Sequence, residues 1–190
     1  MGEKGKNTKE RIKNEARILF SDRGYKDVSM QDICNATGLS KGGLYRHFHD
    51  KAEILLSLVS DEKHITVLED IDAGKTATEI LERLLLEYYR NMLNEKDSLA
   101  YALYEYAESE DSCILESVSE YDIRIWKELV KYGIERGEFN EINAEIVMNT
   151  FLYAYRGVRM WSRVLDMNSD IYSTIIEAVK ILLIKNYEGG

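Results

Sequence analysis

The chain has 190 residues, 45% of them hydrophobic, with a formal net charge of −9 and no proline. That length allows one domain or two small ones with cores of their own, and two cysteines are too few for a disulfide framework. No apolar run reaches the roughly 18 residues that span a bilayer, and the charged opening from Met1 to Lys6 lacks the hydrophobic core of a signal peptide, so the expectation is a cytoplasmic protein with no membrane partner. The missing helix breaker predicts an all-α fold of about nine helices.

The first helix is expected from Thr8 to Arg23, with Asn7 and Glu10 as its capping pair and Ile12, Ala16, Leu19 and Phe20 as its buried stripe. Gly24 ends it. Ser29 caps a second helix with Asp32 three residues on, the reciprocal pairing that satisfies orphan backbone donors, and Ile33 and Ala36 form its apolar side. Gly38 supplies the left-handed residue that closes this helix, Leu39 plugs the corner, and Ser40 caps a third helix running to Phe48. Two short helices with a turn of about three residues make a helix-turn-helix over 29–48. Leu44 and Phe48, four apart, face inward, which leaves Lys41, Gly42, Gly43, Tyr45, Arg46 and His47 for other faces. Two adjacent glycines near a helix start cost about 1 kcal/mol each relative to alanine; close approach to DNA and loose packing are the competing reasons. Amides at Ser40 to Gly42 favour a phosphate, and Lys51 adds a second charge-assisted contact.

These residues resemble the DNA-binding region of the TetR family of bacterial transcriptional repressors. The resemblance covers roughly the first sixty residues and rests on Phe20, Gly24 and Tyr25, on the turn from Gly38 to Gly42, on Leu44-Tyr45 with His47-Phe48, and on Lys51. It implies that Ser29, Gln31, Ser40, Lys41, Gly42, Gly43, Tyr45, His47 and Lys51 face DNA. Tyr45 and Lys51 would hold phosphates, while Gln31, Lys41 and His47 would reach base edges. Gly43 departs from the Thr, Ser or Ala common in the family, so it lacks any side-chain contact made there by relatives.

Charge is distributed accordingly. Residues 1–51 hold eleven Lys/Arg against seven Asp/Glu, a balance of +4, and residues 52–190 carry −13. A basic end on an acidic body approaches a polyanion in one orientation. A DNA-binding domain over 1–50 and an effector-binding and dimerisation domain over 51–190 are the expected organisation.

A fourth helix opens at Asp50 with Glu53 and continues through Ile54, Leu55, Leu58, Val59, Ile65 and Leu68 to about Glu69, a lever from the reader into the body. Further helices are expected at about 78–94, 97–108, 111–136, 143–166 and 169–186. Thirteen tyrosines, most of them in the body, point to an amphipathic pocket, to a wet interface or to an ordinary core with hydroxyls at its surface. Cys34 and Cys113 read as free thiols, Cys34 on a buried side and Cys113 as a small hydrophobe or a redox sensor.

The family resemblance implies a small-molecule effector held among the fourth to eighth helices, with Tyr88, Tyr89, Met92, Tyr104, Trp126, Phe151 and Tyr155 as candidates. Glu105, Glu108 and Glu120 near these tyrosines would suit a cationic aromatic ligand, whereas a lipid or acyl ligand would need a long dry tunnel, and the sequence does not choose between the two. It also implies a homodimer made by the last two helices through Phe151, Ala154, Gly157, Val158, Trp161, Ile175, Ile176, Val179, Leu182 and Leu183, with Gly157 allowing close approach. A two-fold dimer demands a palindromic operator in double-stranded DNA.

Catalysis has little support. His47 and His49 fall at the reading segment and His64 stands apart, no metal set or cofactor motif emerges, and there is no phosphate-cradling glycine loop or nucleophile elbow. The remaining competitor is a helix-turn-helix that contacts protein instead of DNA.

Overall fold

The computed structural model describes residues 3–60, 66–94, 98–110, 113–162 and 164–188, and the side chains of all of these except 3, 4, 60, 114–119 and 121. Among the described residues run ten helices: α1 (Glu3–Arg23), α2 (Met30–Thr37), α3 (Lys41–Tyr45), α4 (Lys51–Ser60), α5 (Val67–Asp72), α6 (Ala77–Leu93), α7 (Ala100–Ser109), α8 (Cys113–Glu135), α9 (Ala144–Trp161) and α10 (Ser169–Leu183). The all-α expectation holds, with one isolated antiparallel bridge, Phe139 to Ile184, at the end of α10. No described helix is long and apolar enough to cross a membrane.

Contacts gather the chain into two units, Met1–Lys63 with Lys96–Leu115, and His64–Glu95 with Glu116–Gly190. This division does not fall at residue 50. α4 packs on α1, and so does α7 from the middle of the chain. The first core therefore joins Ile12, Phe20, Ile33, Leu44, Phe48 and Ile54 to Leu99, Ala102 and Tyr106. Without the last three, apolar surface on α1 and its following turn would face water.

The second unit is built on α6, α9 and α10, with Ile80, Leu84, Trp126, Leu129, Phe151 and Tyr172 in its core. Thr76 and Glu79 form a reciprocal capping box at the start of α6, and Asn143 and Asn168 cap α9 and α10 through their side-chain oxygens. The buried Asp70 carboxylate ties α5 to α6 by accepting from Lys75 at 2.8 Å and from Arg83. Gly133 makes room for Phe139, since a Cβ there would collide with the Phe139 ring.

Several expected boundaries move. α1 starts at Glu3, so Asn7 lies inside the helix and caps nothing. The lever does not continue to Glu69 as one helix: Thr66 has φ −80° and ψ 57°, outside the helical region, and α5 begins after it. Ile65 lies outside the described residues, and Leu68 is exposed. α9 stops at Trp161 rather than 166, because the N–H groups of Val164 and Leu165 both turn back to the Trp161 carbonyl. α10 stops at Leu183, where Asn140 N donates to the Leu183 carbonyl and Lys185 N to that of Glu138.

Candidate nucleic-acid interface

The helix-turn-helix is pinned by local polar contacts of the kind its sequence specifies. Ser29 sits in extended backbone; its N–H donates to Asp32 Oδ2 at 2.9 Å, and Asp32 N donates back to Ser29 Oγ at 3.2 Å. The Ser29 hydroxyl, which donates to the same carboxylate, and then the Ser29 N–H hold Asp32 below the ordinary aspartate range. Gly38 adopts φ 66°, ψ 17°, and Leu39 N reaches the Cys34 carbonyl, closing α2. Ser40 then accepts from Gly43 N at 3.2 Å to open α3. Inside α2 the buried residues are Ile33, Cys34 and Thr37; the expected Ala36 is exposed. Thr37 takes its place because its hydroxyl donates to the Ile33 carbonyl at 2.7 Å and so leaves no polar group unmet.

α3 is shorter than expected. Its α-helical part ends at Tyr45, and His47 N donates to the Leu44 carbonyl three residues back, a tighter last turn that delivers Phe48 into the core. With Leu44 and Phe48 buried, Ser29, Gln31, Ser40, Lys41, Gly42, Tyr45 and Arg46 are all exposed, and Gly43 and His47 are half-buried. The buried Nδ1 of His47 has no hydrogen-bond partner, so any contact from this ring to a base falls to Nε2. Gln31 donates to Asn35 Oδ1 at 2.9 Å along the helix. Space differs around the two glycines. A Cβ at Gly42 would meet nothing within 4 Å, and one at Gly43 would meet Ser40 Oγ at 3.3 Å. Packing within the chain therefore does not require glycine at position 42.

Lys51, expected to hold a phosphate, is engaged within the chain. Its Nζ donates to the carbonyls of Tyr25 at 2.5 Å, Val28 at 2.8 Å and Lys26 at 3.4 Å, and it lies 4.1 Å from the centroid of the Tyr25 ring. All three ammonium protons are engaged in holding the α1–α2 loop. Burial keeps this lysine below its ordinary pKa, against the pull of Glu110, Glu105 and Asp27. At the start of α4, Glu53 N donates to Asp50 Oδ1 as expected, while the Glu53 carboxylate accepts from His49 N.

Glu105 and Glu108 are not free acids beside a ligand. Glu105 is buried and accepts from the N–H groups of Tyr25 at 2.7 Å and Lys26 at 3.1 Å; Glu108 pairs with the Lys26 ammonium at 2.6 Å. Glu120 is exposed. Sequence reading missed the role of Glu105, for which a lone carboxylate eighty residues from its partner leaves no local signal.

In the second unit, four of the effector candidates meet. Tyr88 packs edge to face against Phe151 at 4.9 Å and Tyr155 at 4.7 Å between ring centroids, and Trp126 lies 5.1 Å from Phe151. Burial, and then the Asp122 carboxylate, push the Tyr88 hydroxyl up from its ordinary pKa. Arg159 donates to the Tyr155 hydroxyl at 2.7 Å and Arg156 pairs with Asp122 at 3.4 Å. Met92 is buried in the same core and Tyr89 packs against it. Tyr104 is exposed on α7, in the other unit, and does not join them. An open groove of about 630 Å³ lies elsewhere, lined by Lys127, Lys131 and Ile134 of α8 and by Ile142 and Glu145.

The dimer candidates divide. Phe151, Val158, Val179 and Leu183 are buried within their own unit, where they fill its core; Ala154, Gly157, Ile175 and Ile176 are half-buried; Trp161 and Leu182 are exposed. Outward along α9 run Ile146, Tyr153, Gly157 and Trp161, and along α10 Ile171, Ile181 and Leu182. A Cβ at Gly157 would meet open space. Cys34 is buried, as expected, and Cys113 is exposed rather than packed as a hydrophobe. No group of three His, Cys, Asp or Glu among the described residues could hold a metal ion.

Residues 12–58 match the family described as "Bacterial regulatory proteins, tetR family". The chain is 26% identical to the uncharacterized HTH-type transcriptional regulator YerO of Bacillus subtilis over 183 residues, covering 88% of this chain and 61% of that one. Over 96 residues it is 30% identical to the HTH-type transcriptional repressor AcnR of Corynebacterium efficiens, 50% of this chain and 46% of AcnR. It thus spans less than two thirds of either relative's length. A TetR transcription regulator from Haloarcula marismortui shares the fold, with a TM-score of 0.73 over 94% of this chain and 99% of its own, at 22% identity. Together with the capped helix-turn-helix, these likenesses show that residues 12–58 belong to the tetR family of bacterial regulatory proteins and that the chain has the fold of TetR regulators.

Proposed function

We propose that the chain is a dimeric repressor that reads a palindromic operator and leaves it when a small molecule binds the second unit. The observation that carries DNA reading is the exposed side of α3, where Lys41, Tyr45 and Arg46 stand free of the core beside a glycine that the fold does not need. A bare backbone at position 42 lets the helix approach a groove closely, and the flanking cation and phenol supply contacts to phosphates and base edges. Repression is carried over, as part of the proposal, from AcnR, an HTH-type transcriptional repressor.

Dimerisation is supported by the outward stripe of Ile146, Tyr153, Gly157 and Trp161, too apolar for a helix face left in water. The aromatic group of Tyr88, Trp126, Phe151 and Tyr155 is the proposed effector region. Its rings pack closely on one another, so a ligand entering among them would have to part them, and its preference for the parted arrangement over the packed one is the coupling available for release of DNA.

Selection of bound duplexes from a random DNA pool, at two salt concentrations, tests the reading. The expected result is a palindromic consensus whose affinity falls steeply as salt rises. No enrichment at either salt sinks the DNA reading in favour of a protein-contacting helix-turn-helix. Sedimentation of the Tyr153→Glu variant tests the dimer, because a buried unpaired carboxylate on the stripe should leave a folded monomer; a monomeric wild type at micromolar concentration would overturn it.

A further inference from the structure

The loop from Gly24 to Val28 joins α1 to the reading helices, and side chains from distant parts of the chain satisfy its polar groups. Its N–H groups at Tyr25 and Lys26 both end on Glu105 Oε2, at 2.7 and 3.1 Å, while its carbonyls at Tyr25 and Val28 end on Lys51 Nζ. Contact with Glu105 is close enough to select the residue beside it. Gly24 has φ +85°, and a Cβ there would collide with Glu105 Oε2 and with the Tyr101 ring. The Tyr25 ring then packs edge to face on Tyr106, 5.2 Å between centroids. The loop ends at Ser29, the cap from which α2 starts, and α2 carries α3 through the Gly38 turn.

We propose that Glu105 is a positioning residue for DNA binding: its buried carboxylate, brought by α7, fixes the Gly24–Val28 loop and with it the placement of α2 and α3. The inference rests on the DNA reading proposed above. Burial by itself would raise the pKa of this carboxyl; the N–H groups of Lys26 and Tyr25 and the Tyr101 hydroxyl overcome that and hold it below the ordinary glutamate value, so it is charged at neutral pH. Removing the charge weakens both amide bonds at once in a site that water does not reach, and the loop is then free to take other conformations. A role confined to stability would lower the melting temperature and leave the affinity of folded molecules unchanged. A positioning role lowers that affinity without touching a phosphate contact.

The test uses the full chain as wild type, Glu105→Gln, Glu108→Gln and Tyr101→Phe, with hydrogen exchange of the free proteins and titration of a duplex selected by the wild type. Glu105→Gln should speed exchange at the Tyr25 and Lys26 amides and weaken DNA binding about ten-fold, with the salt slope unchanged. Glu108→Gln, which removes only the exposed pair with Lys26, should change affinity by less than about two-fold. Tyr101→Phe should give a loss of about three-fold, and it decides the matter if Glu105→Gln fails to fold. Equal affinity of folded Glu105→Gln and wild type overturns the assignment, even if the loop amides exchange faster. A wild type that enriches no duplex sinks the DNA reading and the assignment with it, whereas a wild type that binds beside an equally tight Glu105→Gln sinks the assignment alone.

Discussion

The two units use their polar and aromatic side chains differently. In the first, a small apolar core of Phe20, Ile33, Leu44 and Phe48 supports a surface whose exposed residues, Lys41, Tyr45 and Arg46, are left without internal duties. In the second, the distinctive side chains turn inward: Tyr88, Trp126, Phe151 and Tyr155 stack on one another, and Arg156 and Arg159 are tied to Asp122 and Tyr155. A surface that meets a rigid polyanion can be read residue by residue. An interior that would have to open for a ligand is packed by the same residues that would bind it, so core and candidate pocket coincide.

The contrast can be broken most forcefully at Trp126. Trp126→Ala should cost about 3–5 kcal/mol in urea denaturation, since the side chain is fully buried, while folded molecules keep their DNA affinity. A parallel loss of affinity among folded molecules would mean that the second core also sets the reader. Gly42→Ala sharpens the other side. With open space at the Cβ, alanine should stabilise α3 by up to about 1 kcal/mol, seen as a higher melting temperature, yet weaken operator binding about ten-fold by standing the helix off the groove. Tighter or unchanged binding would show that the glycine serves neither fold nor DNA. The smallest effect concerns Asp70. The Lys75 hydrogen bond, with Arg83 adding its charge, holds this carboxyl below the ordinary aspartate value, so its contribution is full above the unfolded pKa and is lost as pH falls through the lower folded one. Asp70→Asn should lower stability at neutral pH and flatten the acid limb of a melting-temperature profile. An unchanged limb would remove Asp70 from the account.

What was legible in the sequence was what is determined locally. Ser29 with Asp32, Gly38 and Ser40 each act within four residues of themselves, and each does in the structure what its side chain predicts. The long amphipathic helices α6 and α8 fall close to their expected limits for the same reason. Partnership across long stretches of chain was not legible. Lys51 carries the charge of a phosphate contact but sits over three carbonyls, and Glu105 carries that of a ligand acid but closes a loop. On α9, apolarity could not separate Phe151 and Val158, which face their own core, from Ile146 and Tyr153, which face outward, because both sets are equally apolar and only the packing of neighbouring helices tells them apart.

The return of α7 to the first unit also bears on synthesis. Residues 1–63 emerge first and hold every helix of the reader, but Leu99, Ala102, Glu105 and Tyr106 are translated later. Until they arrive, two amides of the Gly24–Val28 loop have only water as acceptor and part of the first core has no cover. A nascent chain or a truncated gene product that stops before α7 is a reader without its fastening, and proteases and chaperones would meet it in that unfinished form.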